Sequence, residues 1–290
     1  MNILISGGTG FIGSNLIKKL SLTRHKLIIL HRKKIKNPCK KNHKIEYIKV
    51  DILKNLIDQK KIPKFDTIIH IAGLSGGTNL KKDYLINEKL TYAMLSLMGK
   101  KVKKFIHISS QSVYGNPNLT NIVETNTLAP NFSPYSCSKV NSENWINTFQ
   151  KDFNATFISL RFSGFIEGGG IIKYIKQQAK KNLPIELYSK GEIYRDYISI
   201  NDGVDAICSS LKIKNSNSFI PLNIGSGQQH SIKELAFFVC KIVNSSSKIK
   251  LIQKPSPLGN LTLNIKKARK EIEYRPANVF QSIKHYVTKN

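Results

Sequence analysis

Short apolar runs alternate with amphipathic stretches through the first two thirds of the chain. Residues 2–6 (NILIS) and 26–30 (KLIIL), with further runs at 45–50, 67–72, 104–109 and 155–162, are dominated by Ile, Leu, Val and Phe. Strands of a parallel sheet covered on both faces have this near-continuous apolar pattern, whereas half-exposed strands alternate. Residues 11–20 (FIGSNLIKKL) instead set Phe11, Ile12, Leu16, Ile17 and Leu20 near one face of a helix. Helices are also expected at 79–99, 134–151, 171–181, 202–212, 231–244 and 265–272. Strand and helix in alternation predict βαβ units, hence an α/β fold with a doubly wound parallel sheet. The later segments would form a smaller α/β region. The expected division is 1–163, with 195–222 returning to it, against 164–194 and 223–290. Lys-rich 32–44, polar 115–133 and the Pro-containing 253–260 read as loops, and no internal repeat is visible.

Composition narrows the class of protein. The 290 residues are 40% hydrophobic and 22% charged, which describes a folded globular chain rather than a disordered one. No run approaches the roughly 18 apolar residues that a membrane span needs, and no basic leader precedes the apolar N-terminus, so neither a span nor a signal peptide is expected. Cys39, Cys137, Cys208 and Cys240 lie far apart, with neither a zinc framework nor a disulfide scaffold, and a cytoplasmic location follows. The 46 basic against 18 acidic residues give a net charge of +28. Such a charge suits nucleic acid or an anionic membrane surface. However, 40 of the 46 are lysines scattered along an Ile- and Asn-rich chain. That is the residue bias of an AT-rich genome spread over solvated faces, so nucleic acid is not the expected partner. Attraction for a phosphate-bearing small molecule remains compatible with it.

Residues 7–13 (GGTGFIG) place Gly7, Gly10 and Gly13 directly after a strand and at the opening of a helix. Glycine here permits a tight turn, lets backbone N–H groups approach a pyrophosphate, and brings helix and sheet close. The helix N-terminus then faces the phosphates with its positive end. This is a Rossmann-type dinucleotide site. The second strand runs into His31-Arg32, where an NAD site usually carries an acid for the ribose hydroxyls. A basic residue suits the 2′-phosphate of NADP, so NADP(H) is favoured over NAD(H).

Ser133-Pro134 is a helix-start signal and puts Tyr135 and Lys139 one turn apart on the same face. A strand ending in Ser109-Ser110 precedes them. Taken together, GGTGFIG at 7–13, Val50-Asp51, HIAG at 70–73, SSQSVYG at 109–115 and YSCSK at 135–139 resemble the extended short-chain dehydrogenase/reductase family, the sugar-nucleotide epimerase and dehydratase group. LRF at 160–162, RDYISINDGVDAI at 195–207, NIGSG at 223–227 and KKAR at 266–269 extend the resemblance over nearly the whole chain.

The resemblance implies hydride exchange at a carbon of an activated sugar. Tyr135 would be the general acid or base, needing nearby positive charge because its ordinary pKa is about 10. Lys139 would supply that charge and hold the nicotinamide ribose, and Ser110 would bond the reacting oxygen. Gly7, Gly10, Phe11, Ile12 and Gly13 would line the dinucleotide, with Asp51 and Ile52 at the adenine and Ala72 and Gly73 as a wall. Ser112, Gly164 and Arg195 fall where the family contacts substrate, Arg195 at the diphosphate. Gln111 and Ser112 stand where dehydratases carry acids, so dehydration is not expected. Two reactions remain open. Net reduction of a 4-keto group is favoured by His31-Arg32; 4-epimerisation with bound NAD is the alternative. A homodimer through the helices near 79–99 and 134–151 is also implied. Gly164, Ser133 and Asn264 depart from the family pattern, which leaves the nucleotide open. A different class, a non-catalytic RNA-binding or redox-sensing protein on the same fold, rests on the +28 charge alone. His70 and His107 read as packed or capping residues, Trp145 as a packing residue, and no spacing suggests a metal.

Overall fold

The computed structural model describes residues 1–32, 44–53, 62–75, 81–129 and 133–289. Cys39 and most of the 32–44 loop lie outside the described residues. The strands are β1 (Asn2–Ser6), β2 (Lys26–His31), β3 (Ile45–Lys49), β4 (Thr67–His70), β5 (Lys104–Ser110), β6 (Leu119–Ile122), β7 (Thr156–Phe162), β8 (Gly164–Phe165), β9 (Ile185–Leu187), β10 (Tyr194–Arg195), β11 (Tyr197–Ile198), β12 (Phe219–Ile224), β13 (His230–Ser231), β14 (Ile249–Leu251) and β15 (Leu261–Leu263). The helices are α1 (Phe11–Leu20), α2 (Lys81–Leu95), α3 (Pro134–Phe149), α4 (Gly170–Lys180), α5 (Ile200–Ser210), α6 (Ile232–Ile242), α7 (Lys266–Ile272) and α8 (Val279–Thr288).

The chain forms two compact units, residues 1–115, 128–161 and 204–222 in the first, and 116–127, 162–203 and 223–290 in the second. Of the segment 195–222, residues 204–222 lie in the first unit and 195–203 in the second.

In the first unit the seven-stranded sheet has the order β12-β7-β5-β4-β1-β2-β3. β3, β2, β1, β4 and β5 pair in parallel, giving the doubly wound α/β sheet that the sequence predicts. The order reverses between β1 and β4, and ligands of such sheets bind beyond the strand ends at this point. The two strand-end residues there, Ser6 and His70, are register partners. Leu4, Ile28, Ile68, Phe105 and Phe157 build the core beneath, each contributing about 1.5–3 kcal/mol by burial. β4 and β7 are buried along their whole length, which explains their unbroken apolar sequence. α1 carries Lys18 and Lys19 in its last turn, at the negative end of the helix dipole.

The second unit buries Ile172, Ile175, Ile185, Leu235, Val239 and Ile283. Its α6 opens on a capping box between Ser231 and Glu234. α8 lies beyond the last helix expected from the sequence, although Val279, Ile283 and Val287 recur every four residues on one buried face; Asn278 caps it through the Phe280 and Gln281 amides. Most strands of this unit have two or three residues, too short for a period-two pattern to register, and β6 lies inside the expected 115–133 loop. Among the described residues no helix is long and apolar enough to cross a membrane.

Candidate active site

The glycine turn occupies the reversal of strand order. Gly7 has φ +75°, and a Cβ there would lie 2.5 Å from the Ala72 nitrogen. One on Gly13 would lie 2.2 Å from the Gly7 oxygen. Glycine is therefore required for the turn to close on residues 71–73 and for α1 to start against it. The Gly10 amide donates to Gly7 O at 3.0 Å. α1 has no side-chain cap and no acid in its first turn, so its N-terminal end suits a pyrophosphate. Phe11 is exposed and Ile12 half-buried beside this turn. His31 ends β2 opposite Lys49, with Arg32 exposed after it. Asp51 accepts from the Leu53 amide at 3.2 Å, while Ile52 packs on the core. These residues fit a nicotinamide dinucleotide.

A second cluster is built on β5 and α3. Ser133 caps α3 by accepting from the Ser136 amide at 3.1 Å, with Pro134 in the first turn. That start sets the phase of the helix and brings half-buried Tyr135 to Ser110 at the end of β5. Ser110 Oγ accepts from the Ser112 amide at 3.2 Å, leaving its own proton for the Tyr135 oxygen. Burial raises the Tyr135 pKa above 10, although the Ser110 hydrogen bond opposes the shift. Tyr135 thus holds its proton. Lys139 is buried, and its Nζ donates to Ile108 O at 2.8 Å. It stands 6.0 Å from the Tyr135 ring centre and 3.9 Å from where a Gly73 Cβ would be. Burial pushes its pKa down to about 8, against the pull of Glu143. The structure therefore brings together Ser110, Tyr135, Lys139 and Gly73.

Sequence reading missed the groups that hold this cluster. Asn87 accepts from Leu74 N at 2.6 Å and donates to Leu74 O at 3.2 Å and Ser138 Oγ at 3.1 Å, fastening the 71–74 loop to α2 and α3. Glu143, one turn beyond Lys139, accepts from Ser109 Oγ at 2.6 Å. Its carboxylate pairs with Arg161 at 2.7 Å, both side chains being nearly inaccessible. Arg161 also donates to the Tyr114 hydroxyl at 2.8 Å. Burial opposes the Arg161 charge, but the bonds and charge of Glu143 outweigh it and the pKa is raised. The i, i+4 spacing of Lys139 and Glu143 puts both on one face of α3, but nothing in the sequence ties Glu143 to Arg161 inside LRF.

The sequence profile of the NAD-dependent epimerase/dehydratase family matches residues 3–225. The chain belongs to this family. It is 30% identical to a putative UDP-glucose 4-epimerase of Methanocaldococcus jannaschii over 248 residues, covering 80% of this chain and 79% of the relative. It is 29% identical to a dTDP-4-dehydro-6-deoxyglucose reductase of Escherichia coli over 302 residues, 96% and 93% of the two chains. Among solved structures, the UDP-glucuronic acid 4-epimerase of Bacillus cereus, in complex with UDP-glucuronic acid and NAD, superposes with a TM-score of 0.84 at 24% identity, covering 100% of this chain and 99% of that one. That likeness shows the fold.

The second unit carries two more of the residues singled out in the sequence. In it Arg195 donates to Gly259 O at 3.1 Å, and burial lowers its pKa. Gly164 lies against the Tyr197 ring, which a Cβ would meet at 2.9 Å. In the first unit, Ser112 and Gln111 carry buried oxygen atoms without a hydrogen-bond partner. No group of His, Cys, Asp and Glu among the described residues forms a metal site.

Behind Lys139, the rings of His70 and His107 stack at 5.3 Å, each 1% exposed. Burial and then Lys139 lower the His70 pKa to about 3, and burial, Lys139 and His70 put that of His107 well below 6.5. Both folded values lie below the unfolded value. Their contribution is therefore intact above pH 6.5 and is lost as pH falls, because the unfolded chain takes protons that the folded chain refuses. Each adds a slope of about 1.4 kcal/mol per pH unit in that window. Urea midpoints of a His107→Leu protein should fall with acid by one proton less than those of the unaltered protein. Equal slopes would contradict the assignment.

Proposed function

We propose that the protein reduces a 4-keto group of a nucleotide-activated sugar, using Ser110, Tyr135 and Lys139. The observation that carries this reading is the proton-holding set beside the 71–74 loop: a Tyr135 hydroxyl meeting Ser110, with the buried Lys139 ammonium behind. The glycine turn would hold a nicotinamide dinucleotide, which when bound would supply the hydride. As the C4 carbonyl becomes an alcohol, the Tyr135 O–H bond breaks and a new O–H bond forms on the sugar oxygen. Ser110 donates a hydrogen bond to that oxygen, and Lys139 stabilises the phenolate left behind. The raised Tyr135 pKa suits a proton donor. Gln111 and Ser112 offer no ionisable group for elimination. Arg195, a half-buried guanidinium that donates to a carbonyl, would take the diphosphate.

The basic end of β2 supports NADPH as the reductant. Arg32→Glu should raise the NADPH dissociation constant relative to NADH by about tenfold, the worth of one charge-assisted contact. An unchanged ratio would sink the preference. The second reading is 4-epimerisation with bound NAD, and it is supported by the 4-epimerases among the relatives and neighbours. Denaturing the purified protein and identifying any released dinucleotide separates the two: retained NAD points to the epimerase, an empty site preferring NADPH to the reductase. A second copy would cover the exposed edge-on rings of Tyr92 and Trp145 on α2 and α3, which supports a homodimer.

A further inference from the structure

His70 makes hydrogen bonds through both ring nitrogens. Its Nδ1 lies 2.7 Å from Ser6 Oγ, and its Nε2 lies 3.1 Å from Thr91 Oγ1. The available protons fix the direction of this chain. Ser142 has one hydroxyl proton, given to Ser138 O at 2.8 Å. Thr91 has one, for which Ser142 Oγ at 3.0 Å and Asn87 O at 2.9 Å are both acceptors. It need not be given to His70. The imidazole is then free to donate from Nε2 and to accept at Nδ1 from Ser6. Ser6 Oγ in turn accepts from the Ala72 amide at 3.3 Å. The opposite tautomer would leave the Ser6 proton without an acceptor in a site where Ser6 is fully buried.

The two ends of the chain belong to different parts of the candidate site. Ser6 immediately precedes Gly7, and Ala72 is the residue against which Gly7 closes. Thr91 sits on α2, and Ser142 lies one turn beyond Lys139 on α3. His70 also stands at the reversal of strand order, in register with Ser6. We propose that His70, in its Nε2–H tautomer, is a positioning residue that ties the glycine turn to α2 and α3 and so fixes Lys139 against the 71–74 loop. The proposal goes beyond a packed histidine, since an apolar ring would fill the same space. It rests on the reading of the glycine turn as the dinucleotide site.

The test uses the full chain with His70→Leu, which removes both bonds; His70→Asn, which restores an acceptor toward Ser6; and Thr91→Val, which keeps shape and removes the link to the helices. Lys139 exposure is read by competitive acylation and peptide mass spectrometry, and dinucleotide affinity by quenching of the single tryptophan with NADPH and NADH. In His70→Leu and Thr91→Val, acylation of Lys139 should quicken and both dinucleotides should bind about tenfold more weakly, as the loss of one or two buried hydrogen bonds implies. The double change should be no worse than the larger single change, and His70→Asn should recover part of the affinity. Lower melting temperature with unchanged Lys139 labelling and affinity, or effects that simply add, would overturn the role. Thr91→Val keeps the test open where His70→Leu fails to fold. Failure of the dinucleotide reading would show separately, as an unaltered protein that binds neither NADPH nor NADH, and the labelling would still decide the positioning.

Discussion

A Tyr135→Phe protein is expected to bind dinucleotide as before and to turn over its sugar substrate roughly 100- to 10,000-fold more slowly, the usual worth of a positioned general acid. The change deletes one oxygen. The ring keeps its edge contact with Tyr84 at 5.7 Å, and the glycine turn is untouched, so affinity for NADPH has no reason to move. What disappears is the proton that the buried hydroxyl holds beside Ser110. Steady-state rates with a 4-keto sugar nucleotide, set against dinucleotide titrations of the same preparation, check both halves. Turnover within a few-fold of the unaltered protein would remove Tyr135 from the chemistry.

Glu143→Gln is expected to have the largest effect on stability. Arg161 is 3% exposed, and three of its hydrogen bonds go to the Glu143 carboxylate. Neutralising that carboxylate strands a buried guanidinium, at a cost of about 3–5 kcal/mol. The damage reaches the site, because the same carboxylate anchors Ser109, next to Ser110, and stands one turn beyond Lys139 on α3. Replacing both partners, Glu143→Leu with Arg161→Leu, should recover much of the loss, since an apolar pair leaves no charge unsolvated. Urea unfolding measures all three proteins. A Glu143→Gln midpoint equivalent to less than about 1 kcal/mol would mean that the pair contributes little to folding.

The first unit was readable because its strands are buried on both faces and its turns use glycine for steric reasons. An unbroken run such as FIHIS in β5 permits little else, and Gly7 and Gly13 are required by contacts that a Cβ would violate. Tyr135 and Lys139 were found because Ser133-Pro134 starts their helix, which puts residues four apart on one side. The supporting groups were less visible. Asn87, Thr91 and Ser142 are ordinary polar residues in sequence, and only the packing of α2 on α3 lines them up with His70 from another strand. Glu143 and Arg161 lie 18 residues apart, so no local spacing reveals their pairing. In the second unit, strands of two or three residues carry too little pattern. Arg195 was placed by its motif, yet its bond to the Gly259 carbonyl depends on a loop far along the chain.

The most direct test of the central claim is transfer of label from 4-deuterated NADPH, taken in both stereochemical forms, to the carbon of a 4-keto sugar nucleotide such as dTDP-4-dehydro-6-deoxyglucose. With the unaltered protein, mass spectrometry and proton NMR should find one deuterium at C4 of the product from one of the two forms, and none with Tyr135→Phe. A protein that binds NADPH but transfers no deuterium to any 4-keto nucleotide sugar, or that transfers it equally well without the Tyr135 hydroxyl, would contradict the account.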